Sequence, residues 1–497
     1  MMLISHKETK IKYFMETKTM KKLLIAFCLC SLLGFSACSF TDFPFGGQTT
    51  PTESLEFVDR GDSYAVAGLG TYTDYRVEIP ETHNGKPVTA IAKSAFEKVF
   101  GVTQVVVPSS VTVIEDKAFS ACTHLEKITL SGVKTIGEEA FAYCNALEEI
   151  ALGEKLEVIE NKAFYTCERL PEITFPNSLA EIGDEAFFGN SRLSQVTFGT
   201  GLAYLGASAF EDCQKILEVV IPDGAPTFIG DKAFFNCRGM RSLELGDSVT
   251  QIGVESFDSC LNLTFATIGD GVIRIGEKAF ETARSLVSLT LGKSVGFIGR
   301  GAFYNCYKLV DVYNRSNFEL VGDSAVDGRL GYHVLNEYKQ EGGSKISVTD
   351  DGCILYTDGD SVRLMGHTTT KSIALVVPDE VTEIHMMAFY NNTFISSIAA
   401  GENLKKIGNQ AFNFAYNLRS ATLMGVENIE NQAFSYCNKM VKITLGNTLK
   451  QVKENAFSTC SVLAVVEFSG TNEEWSEIDF TTGNEAITKL AITISDK

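Results

Sequence analysis

Ala118-Phe119-Ser120-Ala121-Cys122-Thr123-His124-Leu125-Glu126-Lys127-Ile128-Thr129-Leu130 runs through Ile136-Gly137 to Ala140-Phe141, where the pattern begins again. The Ala-Phe step recurs at Phe96, Phe119, Phe141, Phe164, Phe187, Phe210, Phe234, Phe280 and Phe303, and again at Phe389, Phe412, Phe434 and Phe457. Ser256-Phe257 keeps the same beat. Neighbouring phenylalanines stand 22 to 24 residues apart. A fixed period in this range is the mark of a solenoid, in which one short unit stacks on copies of itself. The expected fold is therefore a repeat solenoid, mainly β with short helical corners, capped at both ends.

Aligned on the phenylalanine, the other apolar residues fall into columns. Leu125, Leu147, Leu170 and Leu193 follow it by six residues, Ile128, Ile150, Ile173 and Val196 by nine, and Leu130, Leu152, Phe175 and Phe198 by eleven. The last two columns alternate with polar residues, which predicts a short strand with one face buried. Ile114, Ile136, Ile159 and Ile182 mark a second extended piece, often followed by glycine (Gly137, Gly183). No unit can bury its apolar face alone, so each phenylalanine is expected to pack on that of the next coil.

Cysteine occupies the third position after the phenylalanine at Cys122, Cys144, Cys167, Cys213, Cys237, Cys260, Cys306, Cys437 and Cys460. Asn190, Asn392, Ala283 and Ala415 replace it elsewhere. The column is odd in number, swaps freely with alanine, and sets equivalent side chains parallel, which is poor disulfide geometry. Buried free thiols filling small apolar sites are expected.

These columns resemble the leucine-rich repeats of the BspA type, also called the Treponema pallidum type, over residues from about 88 to 468. The resemblance implies a leucine-rich-repeat fold, a non-catalytic role, and relatives associated with adhesion and co-aggregation. Residues 55–92 look like the family's N-terminal β cap, with strands around Tyr64–Val66 and Tyr75–Ile79 and a hairpin turn at Asn84-Gly85. Repeats are expected over 93–326 and 376–468, separated by a β-rich insertion over 327–375. Ala325-Val326 stands where the next Ala-Phe should fall. Residues 469–497 read as a C-terminal cap, in which Gly470-Thr471 and Trp475 match a pattern common at the end of family members.

Residues 1–38 read as an upstream extension and an exported signal. Lys21 and Lys22 precede an apolar stretch, Leu23 to Phe35, that is short for a membrane span but right for a signal peptide. Ser36-Ala37-Cys38 resembles the lipobox of bacterial lipoproteins. That resemblance implies lipidation at Cys38 and an outer-membrane lipoprotein of the Bacteroidetes. Residues 39–54 form a polar tether; only one acid, Asp42, stands close behind the cysteine, which is compatible with a protein facing either the cell surface or the periplasm.

A net charge of −19 argues against nucleic acid as the main partner. The six histidines show no metalloprotease or nucleophile pairing, and no phosphate-cradling loop occurs. Acid pairs such as Glu138-Glu139 recur as solvated turn residues. No enzyme activity, cofactor or metal is expected. The candidate binding surface is the outward face of the first strand, where Thr129, Thr174, Thr197, Thr267 and Thr290 share one column. Tyr313 in that column and Phe265 two positions earlier in its strand are read as exposed aromatic anchors for a protein or glycan partner. The expected function is adhesion-like binding from a lipid anchor. The alternative is a structural or accessory part of an envelope complex that handles glycans.

Overall fold

The computed structural model describes residues 54–369 and 371–494. Cys38 and the tether residues 39–53 lie outside the described residues. The period-two alternation of the first strand becomes a parallel ladder. Lys127–Leu130 pairs with Gln104–Val107 on one side and Glu149–Leu152 on the other, so that Ile128 lies between Val105 and Ile150. The second extended piece is a two-residue strand, Thr135–Ile136, held between Val113–Ile114 and Val158–Ile159. Repetition gives a parallel β-solenoid of about 19 turns with very few helices.

The phenylalanines form a continuous column. Rings from Phe96 to Phe119 are 4.9 Å apart and 2° from parallel, and the spacing stays at 5.0 Å from Phe187 to Phe210 and 5.2 Å from Phe280 to Phe303. A second column runs from Phe389 to Phe457. The spacing is close to that of adjacent strands, because each ring rides on a coil whose height the ladders set.

The corner differs from the helix expected there. It is a run of turns in which bonds within the coil alternate with bonds to the next coil. Ala118, Ser120 and Cys122 donate back three residues within their own coil, while Lys117, Phe119 and Ala121 donate to Glu138, Ala140 and Ala142. A helix would direct every N–H along its own axis and leave nothing for the neighbour. The alternation needs left-handed backbone at Lys117 (φ 56) and Ala121 (φ 57), and non-glycine residues repeat this in nearly every coil. Even the β-branched Thr166 and Thr282 adopt it, at φ 53 and 59. Such conformations are unfavourable alone and persist where the surroundings over-determine them.

The cysteine column does more than fill space. Cys144 Sγ donates to the Phe119 carbonyl at 3.1 Å and Cys167 Sγ to that of Phe141 at 3.1 Å; the bond recurs from Cys122 to Cys460. Where asparagine stands instead, Asn190 Nδ2 makes the same bond to Phe164 at 2.9 Å. Burial raises the thiol pKa throughout, to about 12 at Cys122, Cys167 and Cys460. A thiol reagent at neutral pH is therefore expected to modify these cysteines about a hundredfold more slowly in the folded protein than in denaturant. Equal rates would place the thiols at the surface.

The glycine after the second strand marks a close approach between coils. A Cβ at Gly253 would stand 2.5 Å from the Gly230 carbonyl carbon.

At the N-terminus, Glu56–Asp59 and Tyr64–Gly68 form an antiparallel pair whose second strand joins the solenoid through Lys86–Ile91. Asn84 (φ 47) and Gly85 (φ 78) make the expected turn between Thr82–His83 and Lys86. At the C-terminus, Thr471 and Glu474 form a capping box on the helix Asn472–Ser476. Trp475 packs its ring against Phe468 and Phe480, each at 5.2 Å.

Ala325-Val326 does not take the corner position. Both residues are exposed, and the Phe303 N–H reaches past them to the Gly328 carbonyl at 2.8 Å. Leu330 is the buried apolar residue there. The Asp327 carboxylate organises this turn, accepting from the N–H groups of Val321, Gly322, Arg329 and Gly331. Asn336–Tyr338 then adds a last strand to the first-strand ladder.

Beyond it, Cys353–Asp358 and Ser361–His367 form a hairpin with two faces. One edge starts the second stack, since Arg363 and Leu364 pair with Glu383 and Ile384. The other side carries Ile354, Tyr356 and Met365, which pack on Val287 and Val310 of the first stack. The apolar core is accordingly divided in two, with this small cluster between. Lys308 completes the joint. It is buried, and its Nζ donates to the Ala388 carbonyl at 2.6 Å. Ala388 belongs to the first complete coil of the second stack, so no preceding phenylalanine N–H is there to serve it.

Candidate functional site

The first-strand face is built by residues eight and ten after each phenylalanine, which alternate with the buried positions and point outward. In register, the central column reads Val106, Thr129, Ala151, then Thr174 and Thr197, then Val220, Glu244, Thr267, Thr290, Tyr313 and Tyr338. Threonines thus stand side by side as Thr174–Thr197 and as Thr267–Thr290. Thr129 lies alone between Val106 and Ala151. Thr174, Thr197 and Thr267 are exposed, whereas Thr129 and Thr290 are half-buried. The adjacent column is acidic and polar. Lys127 pairs with Glu149 at 2.6 Å, and Ser242 donates to Glu218 at 3.1 Å.

The two aromatic anchors sit differently from the expectation. Tyr313 is half-buried, with its ring stacked on Tyr338 at 5.0 Å and the Arg315 guanidinium 5.9 Å away. Phe265 is not free: it packs against the cluster of Val287, Val310, Ile354, Tyr356 and Met365 beneath the hairpin. The reason is tertiary. Residues from the insertion, distant in sequence, fold back on this part of the face.

Sequence reasoning missed what holds that cover down. Asp311 is buried and accepts from Asn336 Nδ2 (2.6 Å), Ser344 Oγ (2.8 Å), Ser288 Oγ (3.3 Å) and the Lys345 N–H (3.2 Å). Arg241 donates to the carbonyls of Thr368 and Thr369. An acid at the eighth position after Phe303 was visible in the sequence, but the same column holds solvent-facing Glu149 and Glu172. Only the fold separates a clamp from a surface charge.

The face is broken at two points, between Gln195–Thr197 and Glu218–Ile221, where Leu217 still donates to Ser194 at 3.3 Å, and two windings earlier, where the gap is wider. Glu149–Leu152 and Glu172–Thr174 belong to different sheets and exchange no hydrogen bonds, although the second strands and the phenylalanines of the same two coils stay in step. A cleft of about 350 Å³ opens there, lined by Ile150, Leu152, Glu154, Glu172, Thr174 and Pro176 among others. Proline is the cause. At the positions of Pro171 and Pro176, other coils donate to their predecessor, as Glu148 does to Glu126 (2.9 Å) and Gly246 to Ile221 (2.9 Å). Proline has no N–H to give.

Among the described residues, no group of three or more His, Cys, Asp or Glu side chains could hold a metal ion, and no helix is long and apolar enough to cross a membrane.

The chain belongs to the family of BspA type leucine rich repeat regions, whose pattern matches residues 89–217, 205–329 and 367–484. Among solved structures, it is similar to a leucine-rich repeat protein from Bacteroides ovatus, at 22% identity over 91% of this chain and 100% of that one, with a TM-score of 0.44. A leucine-rich repeat protein of T. pallidum is 24% identical over 44% of this chain and 91% of its own, with a TM-score of 0.34. No curated protein matches the chain. Leucine-rich repeat proteins are typically non-enzymatic binding scaffolds, and such domains generally mediate protein–protein interactions.

Proposed function

We propose that the chain is a non-catalytic binding protein of the bacterial cell envelope, anchored by a lipid on Cys38 and presenting its first-strand face to a protein partner. The observation that carries the reading is the face itself. Threonine and glutamate side chains repeat at strand spacing along parallel strands, which suits broad contact and not bond-making chemistry. The Ser36-Ala37-Cys38 sequence behind an apolar stretch supports the anchor.

Soluble protein beginning at Ser39 is expected to bind a member of a panel of immobilised extracellular matrix proteins. Thr174→Arg with Thr197→Arg should lower that binding about tenfold without changing the unfolding temperature, because both residues are exposed. Binding only to glycans in a parallel array would favour the glycan-handling alternative. Undiminished binding by the double variant would move the site off this face. Cys38→Ala should release the protein from the membrane fraction of cells, and retention there would remove the anchor.

A further inference from the structure

We propose that the cleft between Glu149–Leu152 and Glu172–Thr174 is a docking slot for an extended peptide strand of a partner protein, with basic and apolar residues in alternation. This deepens the function proposed above and rests on it, since it names the chemistry of the partner and where it enters.

The first observation is the free edges. In a parallel ladder, the N–H and C=O of one residue turn to the same neighbour, and successive residues alternate sides. Glu149 donates to Glu126 on its own side, so Ile150 and Leu152 turn toward the cleft. Phe175 donates away to Thr197, so Glu172 and Thr174 turn toward the cleft from across it. Both edges present backbone donors and acceptors at strand spacing, and no backbone group of the other coil meets them. Unpaired edges of this kind are templates for an added strand.

The second observation is side-chain chemistry. Ile150 and Leu152 are half-buried, whereas their counterparts in the adjoining coil, Ile128 and Leu130, are sealed at 0% and 1% exposure. An occupying strand covers them with apolar side chains on every second residue. Its intervening side chains point outward, where Glu154 and Glu172 line the cleft and Glu148 and Glu149 stand exposed at the start of one edge strand. Arg169 reaches Glu148 at 3.4 Å and Lys127 reaches Glu149 at 2.6 Å. Glu154 and Glu172 have no ion pair among the described residues, which leaves the negative charge at the cleft mouth for a cationic partner.

The test uses soluble protein from Ser39 onward and a fluorescent octapeptide of alternating lysine and valine, read by anisotropy. Saturable binding is expected. The same peptide N-methylated at every second amide keeps its charge but loses its ladder bonds, and should bind about tenfold more weakly. A glutamate–valine octapeptide, and the protein variant Glu154→Lys with Glu172→Lys, should each lower affinity by about tenfold or more. Pro171→Ala with Pro176→Ala returns the missing donors, lets the ladder zip shut, and should also weaken binding. Absence of binding, or binding indifferent to N-methylation, overturns the inference. A panel partner that binds the Glu154→Lys/Glu172→Lys protein as tightly as the unaltered one overturns it too, while leaving the proposed function standing.

Discussion

Phe210→Ala is expected to destabilise the first stack by about 3–5 kcal/mol. The ring is fully buried and sits between Phe187 at 5.0 Å and Phe234 at 5.3 Å, with the edge of Phe198 at 5.8 Å. Truncation opens a hole that backbone cannot close, because the height of this coil is set by the second-strand ladder and by a corner bonded across to both neighbours. Stability in such an array is a sum over neighbouring units. Loosening should therefore appear first in the coils around Phe187, Phe210 and Phe234, and hydrogen exchange should show it there before it shows near Phe412. Denaturant unfolding measures the total. A loss below about 1 kcal/mol would mean that the aromatic column is not a main source of cohesion.

The joint carries the second large effect. Burial lowers the Lys308 pKa from 10.5 to about 7. Unfolded, the lysine holds its proton up to its ordinary pKa; folded, it releases it near neutrality. Between those values unfolding takes up a proton, so stability rises with pH across that window. Below about pH 7 both states are charged, and the full burial penalty, about 5 kcal/mol, remains. His385 acts in the same direction at lower pH. Its pKa is lowered to about 3 by burial first, then by Arg363, Lys308, His333 and Lys406, so folding loses stability as pH falls below its ordinary value. Lys308→Met removes the buried ammonium but leaves the Ala388 carbonyl without its donor, a loss of about 1–3 kcal/mol. The variant should exceed the unaltered protein by about 2–4 kcal/mol near pH 5, and its advantage should fade by about pH 9. Removing Lys308 also takes away one of the charges that lower the His385 pKa, which adds to the variant's advantage on the acid side. Thermal unfolding of the two proteins across this range reads the difference, and a gap that does not change with pH would show that Lys308 stays ionised in the folded state.

The architecture was legible because its cause is local and repeated. One residue type at one spacing specifies a coil, and the inward columns from Leu125 to Leu130 specify which face it buries. Asn84-Gly85 was legible for the same reason, since both residues tolerate the positive φ that their turn requires. The corner was not. Lys117 and Ala121 carry no sign of left-handed backbone, and the bonds that impose it come from a neighbouring coil.

The candidate face was legible in part. Thr174, Thr197 and Thr267 are exposed on the strands where the alternation put them. Phe265 is partly covered where the sequence reading had it exposed, because the hairpin that packs on it lies about 90 residues further along the chain. Pro171 and Pro176 stood in plain view. Their meaning depends on which N–H groups the other coils spend on their neighbours, and only the register reveals that.

One deletion experiment bears most directly on the claim that a single period makes a single interchangeable winding. Removing Phe187 to Ala209 joins Ala186 to Phe210 and excises one complete coil of 23 residues. The shortened protein should fold cooperatively, with an unchanged β-type circular dichroism per residue. Removing only Phe187 to Phe198 takes out half a winding and should prevent the first stack from folding. If both deletions fold, or both fail alike, the period is not the structural unit.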